Sequence, residues 1–122
     1  SPDGLVGDDG LIEIKSRRQR FQVQTIVEKV PSDTIPDEYM LQIQTGLLVT
    51  GRAWCDFISF SNGMPMVTIR VEPRASVIES IIAAAIKFEA SLADAMARYK
   101  AAMQSDARLI PTVYRERMEI LP

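Results

Sequence analysis

A chain of 122 residues has room for one domain with one hydrophobic core. Its 47% apolar and 25% charged residues are ordinary for a globular protein, and a net charge of −2 leaves any nucleic-acid argument to local clusters. The lack of histidine excludes Ser-His and Cys-His triads and His-ligated zinc, the single Cys55 excludes an internal disulfide, and no apolar run approaches the roughly 20 residues that span a bilayer.

In chain order, the first element is Ser1–Lys15. Gly7-Asp8-Asp9-Gly10 predicts a turn, because Gly and Asp tolerate positive φ and Asp bonds its own backbone. Leu11–Lys15 reads as a strand in which Leu11, Glu13 and Lys15 share one face and Ile12 and Ile14 the other. Ile12 and Ile14 are expected to face the core, and the turn to fold Asp3 back toward Glu13. Lys15 to Arg20 then forms a compact basic patch, with Arg17, Arg18 and Arg20 as candidate phosphate contacts; a solvated loop is the plainer reading.

From Phe21 to Val30, apolar residues at 23, 26, 27 and 30 predict a helix ended by Pro31. A second helix is expected from about Pro36 to Val49, with Asp37 and Glu38 at its positive end, a core stripe of Met40, Ile43 and Leu47, and Gly51 closing it. Arg52–Phe60 carries apolar groups on both faces and reads as a central strand, with Trp54, Cys55 and Phe57 as core. Ser61-Asn62-Gly63 is a hairpin turn, after which Val67, Ile69 and Val71 point inward. Asp56 and Arg70 are expected to form a structural pair. A long helix follows from about Arg74 to Met103, with Ile78, Ile81, Ile82, Ala85, Phe88, Leu92, Met96 and Tyr99 as a core or subunit-interface stripe. The stretch from Ser105 to Pro122 lacks a period and reads as an extended tail. The expected fold class is α/β, a mixed α+β sheet with flanking helices, over residues 1–104, with residues 105–122 as tail.

Asp3, Glu13 and Lys15 are the residues that suggest chemistry. Hard cations such as Mg²⁺ take oxygen ligands, and two carboxylates with a strand carbonyl meet that demand. A neighbouring ammonium positions a metal-bound water or stabilises charge developing on a phosphate. The plainer alternative is a solvated Glu13–Lys15 pair with Asp3 as a turn residue, since a bare D-x9-E-x-K spacing is common.

The wider context is more specific. Ser-Pro-Asp3-Gly, Ile12-Glu13-Ile14-Lys15, the following Tyr39-Met40-Leu41-Gln42-Ile43-Gln44 helix and Val49–Phe60 resemble the PD-(D/E)xK nucleases. More narrowly, they resemble the phage lambda exonuclease and YqaJ-like viral recombinase family. The likeness implies a restriction-endonuclease-like core, expected to lack its N-terminal part because the family carries a helical region upstream of this motif. It implies Asp3, Glu13 and the Ile14 carbonyl as ligands of Mg²⁺, with Mn²⁺ as the alternative metal. Lys15 would orient the attacking water and Gln42 would sit beside the site. It further implies 5′-to-3′ hydrolysis of one strand from double-stranded DNA ends, a single-strand annealing protein as partner, a homo-oligomeric (trimeric) assembly with no membrane, and a phage or prophage protein in the bacterial cytoplasm. A related endonuclease or RecB-like nuclease module, and a non-catalytic DNA-binding or assembly subunit, are the alternatives. The departure from the family pattern is Ser16-Arg17, where Cys-Pro or Thr-Pro usually follows the lysine.

Overall fold

The computed structural model describes residues 1–116 of the chain. Contacts divide it into two compact units, Ser1–Ala84 and Ala85–Pro122. The first unit is a four-stranded mixed sheet in the order β1-β2-β3-β4, formed by β1 (Gly4–Val6), β2 (Gly10–Ser16), β3 (Trp54–Phe60) and β4 (Val67–Val71). β1 and β2 form a hairpin, β2 and β3 run parallel, and β3 and β4 are antiparallel. A parallel pair requires a crossover. Here it is α1 (Gln19–Gln24), a π-helical turn (Thr25–Lys29) and α2 (Asp37–Thr50). The element order and the central position of β3 follow the sequence expectation.

Register decides which side chains share a face. Leu11 lies beside Cys55 and Cys55 beside Val71; Glu13 beside Phe57 and Phe57 beside Ile69; Lys15 beside Ser59 and Ser59 beside Val67. Together with Ile43 and Leu47 of α2 and the loop residue Ile35, the apolar members of these rows form the core, with Phe57 fully buried. The expectation that Ile12 and Ile14 face the core is therefore corrected. They occupy the opposite face, where Ile14 is 47% exposed, and Glu13 stands on the core side at 5%. Leu11 and the helix α2 settle the matter, because one buried leucine and a helix covering its face outweigh two isoleucines that meet only their strand neighbours.

The crossover also differs from expectation. Val23, Val27 and Val30 are exposed, and the residues buried there are Gln22 and Thr25. The Gln22 amide donates to the Ser59 carbonyl at 3.0 Å and to the Pro65 carbonyl at 2.8 Å. Of the predicted apolar stripe only Ile26 packs against the core, and the segment docks as well by satisfying the Ser59 and Pro65 carbonyls, which the 3.6-residue pattern does not report. The π-turn follows from the Val30 N–H reaching the Thr25 carbonyl five residues back, at 3.1 Å.

Helix α2 behaves as its sequence suggests. Ile43 and Leu47 are buried, Met40 is packed at the margin, and Gly51 ends the helix at φ 66°, its N–H bonding the Leu47 carbonyl at 2.9 Å. Gln44, also buried, holds the start of the next connection, donating to the Glu72 carbonyl at 2.9 Å and accepting from the Arg74 N–H at 2.8 Å. Asp56 and Arg70 pair at 2.8 Å, with the Arg70 guanidinium stacked 3.7 Å from the centre of the Trp54 ring.

Helix α3 (Ala75–Ser105) starts in the first unit and accounts for most of the described part of the second. None of its residues is buried: Ile78 and Ile81 are partly covered, and Ile82, Phe88, Leu92, Met96 and Tyr99 are exposed. The expected stripe is present as a pattern, but none of it is buried among the described residues. The helix ends at Ser105, and residues 106–116 carry no helix or strand. The rest of the expected tail, residues 117–122, lies outside the described residues.

Candidate active site

The β1–β2 hairpin builds one side of the site. The Asp8-Asp9 turn is fixed from across the sheet, where Arg52 Nη1 donates to the carbonyls of Gly7 and Gly10, both at 2.9 Å. The Ala53 N–H reaches the Asp9 carbonyl at 2.8 Å. Gly10 is required because the Trp54 ring crosses it; a Cβ there would come within 2.2 Å of that ring. So anchored, the hairpin returns Asp3 alongside β2. The Asp3 N–H bonds the Ile12 carbonyl at 3.1 Å, and Asp3 Oδ2 accepts the Ile14 N–H at 2.7 Å. The predicted fold-back of Asp3 is thus present, and it places Asp3 directly against Ile14.

Three more of the expected residues meet on the core face. Lys15 Nζ lies 2.9 Å from Glu13 Oε1 and donates to Gln42 Oε1 at 3.0 Å, while Gln42 Nε2 donates to the same Glu13 oxygen at 2.8 Å. The three side chains close a ring of contacts, so each fixes the others' rotamers. Both bonds land on Oε1, and Glu13 Oε2 takes neither. The Glu13 side chain is 6% exposed and that of Lys15 23%, so the pair has given up most of its hydration. A charged pair in such a place contributes little net stability against its desolvation, and a buried departure of this kind from apolar packing is what functional or strained sites are expected to show. Glu13 and Gln42 border an open cleft of about 460 Å³, whose apolar wall includes Pro2, Leu11, Leu41 and Val49.

Cys55 lies at the base of the same cleft. Burial first, then the charges of Glu13, Asp56 and Asp3, push its thiol up to about 11, so it stays protonated and inert near neutral pH.

The basic patch divides. Arg17 turns inward with its side chain 6% exposed, donating from Nη1 to Thr25 Oγ1 at 2.6 Å and pairing through Nη2 with Glu38 at 3.3 Å. It braces the crossover against α2. Arg18 and Arg20 are exposed, and Arg20 rests on the Phe21 ring 4.5 Å from its centre. Sequence reasoning gave Gln22 and Gln44 no role. Tyr39 stacks on Phe57, ring centres 5.4 Å apart, and the Lys15 ammonium lies 5.3 Å from its centre. Nothing in a glutamine's sequence context separates a buried carbonyl clamp from a solvated helix residue.

Among the described residues no three Asp, Glu, His or Cys side chains converge as a ligand group. The oxygen donors at hand are the carboxylate of Asp3, which accepts the Ile14 N–H, and the carboxylate of Glu13, the preceding residue on β2. This hard, all-oxygen set fits Mg²⁺ better than a soft metal, which would draw on sulfur or imidazole.

A turn aspartate, a strand Glu-x-Lys and a helix glutamine thus lie on one mixed sheet, in the pattern that the sequence shares with the PD-(D/E)xK nucleases. Residues 1–53 match the family model of the YqaJ-like viral recombinase domain, which bears out the resemblance carried by the motif. Among solved structures, the chain is similar to an alkaline exonuclease, LHK-Exo, from Laribacter hongkongensis. The identity is 36% and the TM-score 0.72, over 86% of this chain and 55% of that one. It is likewise similar to LHK-Exo in complex with dAMP, at 35% identity and a TM-score of 0.68, over 90% of this chain and 55% of that one. The chain thus spans 55% of the length of these structures. No curated protein matches it. No helix among the described residues is long and apolar enough to cross a membrane.

Proposed function

We propose that this chain carries the catalytic centre of a Mg²⁺-dependent DNA exonuclease that hydrolyses one strand of linear duplex DNA from its 5′ end. The observation that carries the reading is the closed Glu13–Lys15–Gln42 ring of contacts at the edge of an open cleft. Asp3, Glu13 and the Ile14 carbonyl would hold Mg²⁺, which supplies Lewis acidity toward the scissile phosphate and lowers the pKa of a bound water. Lys15 presents a fixed ammonium at the same edge, where it orients the attacking water and offsets the negative charge that grows on the phosphate oxygens. Gln42 holds Lys15 and Glu13 in register through its two amide atoms, so neither swings away when the phosphate arrives. Arg18 and Arg20 offer exposed cations for backbone phosphates, and Arg17 sets the path of that segment from inside. The 3′-tailed product would pass to a single-strand annealing protein, and the working unit would be a ring-like homotrimer of a phage or prophage protein in the bacterial cytoplasm.

The test is digestion of linear duplex DNA by the full-length protein with Mg²⁺ or with chelator, beside Glu13→Ala and Lys15→Ala. Each variant is expected to lose at least about a hundredfold in rate, the order associated with removing a charge-stabilising group. Unchanged digestion by Glu13→Ala would sink the metal-site assignment. Resistance of closed circles, with preference for 5′-phosphorylated ends, is expected, and cutting of circles would replace the exonuclease by an endonuclease.

A further inference from the structure

The Glu13–Lys15–Gln42 contacts fix the lysine ammonium from two sides, and an aromatic ring stands on a third. The Lys15 ammonium lies 5.3 Å from the centre of the Tyr39 ring, within the range over which a cation is drawn to a π-face. That ring is itself held. It stacks on the fully buried Phe57 with centres 5.4 Å apart and planes inclined by 28°. The Arg17 guanidinium, tied to Thr25 and Glu38, lies 5.4 Å from its centre. Tyr39 stands three residues before Gln42 on α2, so the two lie on neighbouring turns of one helix and approach Lys15 from the same element.

We propose that Tyr39 is a positioning residue for Lys15: its ring, clamped by Phe57 and Arg17, confines the ammonium to the point where it contacts Glu13 and Gln42. The role belongs to the ring and not to the phenolic hydroxyl. A lysine carries four rotatable bonds and is weakly preorganised on its own, so each surface that restricts it increases the fraction of time it spends in the reactive position. The inference rests on Lys15 acting in phosphodiester hydrolysis as proposed above, while the geometry it asserts does not.

The experiment therefore has two arms on the full-length protein. In the kinetic arm, hydrolysis of linear duplex DNA with Mg²⁺ is followed for Tyr39→Phe, Tyr39→Leu and ring-fluorinated phenylalanines at position 39, which weaken the π-face at nearly constant volume. Tyr39→Phe is expected to keep kcat within about twofold, and Tyr39→Leu to lose on the order of tenfold in kcat with KM little changed, the scale of one desolvated cation–π contact. Increasing fluorination should lower kcat stepwise. In the second arm, NMR of protein with 13C-labelled lysine reads the ring-current shift of the Lys15 methylenes. This shift should persist in Tyr39→Phe and vanish in Tyr39→Leu. Full kcat in Tyr39→Leu, or fluorinated rings as active as phenylalanine, would overturn the positioning role, and so would Lys15 resonances indifferent to Tyr39→Leu. Full activity in Glu13→Ala would instead remove the nuclease reading, leaving the spectroscopic arm to judge the contact by itself.

Discussion

The two faces of the sheet are made from the same three strands and differ in everything else. On one face, the rows Leu11–Cys55–Val71, Glu13–Phe57–Ile69 and Lys15–Ser59–Val67 lie under α2 and are closed from water apart from Lys15. On the other, Ile12–Asp56–Arg70 and Ile14–Ile58–Thr68 stay partly or largely exposed. On β2, the side that carries the charge is the covered side. A strand chosen only for stability would turn its isoleucines inward and leave the glutamate and lysine in water. This one does the reverse, and it offsets the desolvation of Glu13 and Lys15 by pairing them with each other and with Gln42.

If this contrast is right, the largest effect should come from the centre of the covered face. Phe57 contributes its ring to the middle row and supports Tyr39. Phe57→Ala should destabilise the protein by about 3–5 kcal/mol, through lost burial and the cavity left behind. Chemical denaturation measures it, and a loss below about 1 kcal/mol would mean that the covered face is not the core.

The fold was legible where local chemistry and burial agree. Gly51 ends α2, Gly63 turns the β3–β4 hairpin, and Val67, Ile69 and Val71 alternate inward, all readable from residue type. The candidate site was named residue by residue only because Asp3, Glu13, Lys15 and Gln42 carried a family likeness. Its facing was not. Period-2 alternation says which residues share a face but not which face a helix will cover, and hydrophobicity pointed to the wrong one at Ile12 and Ile14. The valine pattern of 23, 27 and 30 misled for a related reason: Gln22 and Thr25 are buried by their hydrogen bonds, which hydropathy does not count.

A smaller effect separates the two faces by pH. Cys55 is buried on the covered face, and its thiol is raised from 9.0 to about 11 in the folded protein. Folding thus holds a proton that the unfolded chain releases earlier, so the unfolded state binds fewer protons above its own pKa. The stability it contributes is fully present below about pH 9 and is lost as the pH rises toward about 11. Denaturation midpoints across this window should fall more steeply in the wild type than in Cys55→Ala. Parallel curves would show that the thiol does not feel the burial or the Glu13, Asp56 and Asp3 charges. Alkylation of folded protein near neutral pH should be slow for the same reason.

The smallest effect belongs to Ile14, the residue between Glu13 and Lys15. In the proposed site it would contribute its backbone carbonyl, and its N–H already holds Asp3 Oδ2 at 2.7 Å. Its side chain points to the open face and is 47% exposed as a residue. Ile14→Thr keeps the β-branch that suits a strand, keeps both backbone groups and changes only what the open face presents. It should therefore shift stability by no more than about 0.5 kcal/mol and leave DNA hydrolysis within about twofold of wild type. Glu13→Ala, one residue away on the covered face, is expected to abolish hydrolysis. A comparable loss in Ile14→Thr would mean that the open face takes part in catalysis or in binding DNA, and that strand alternation does not separate support from chemistry here.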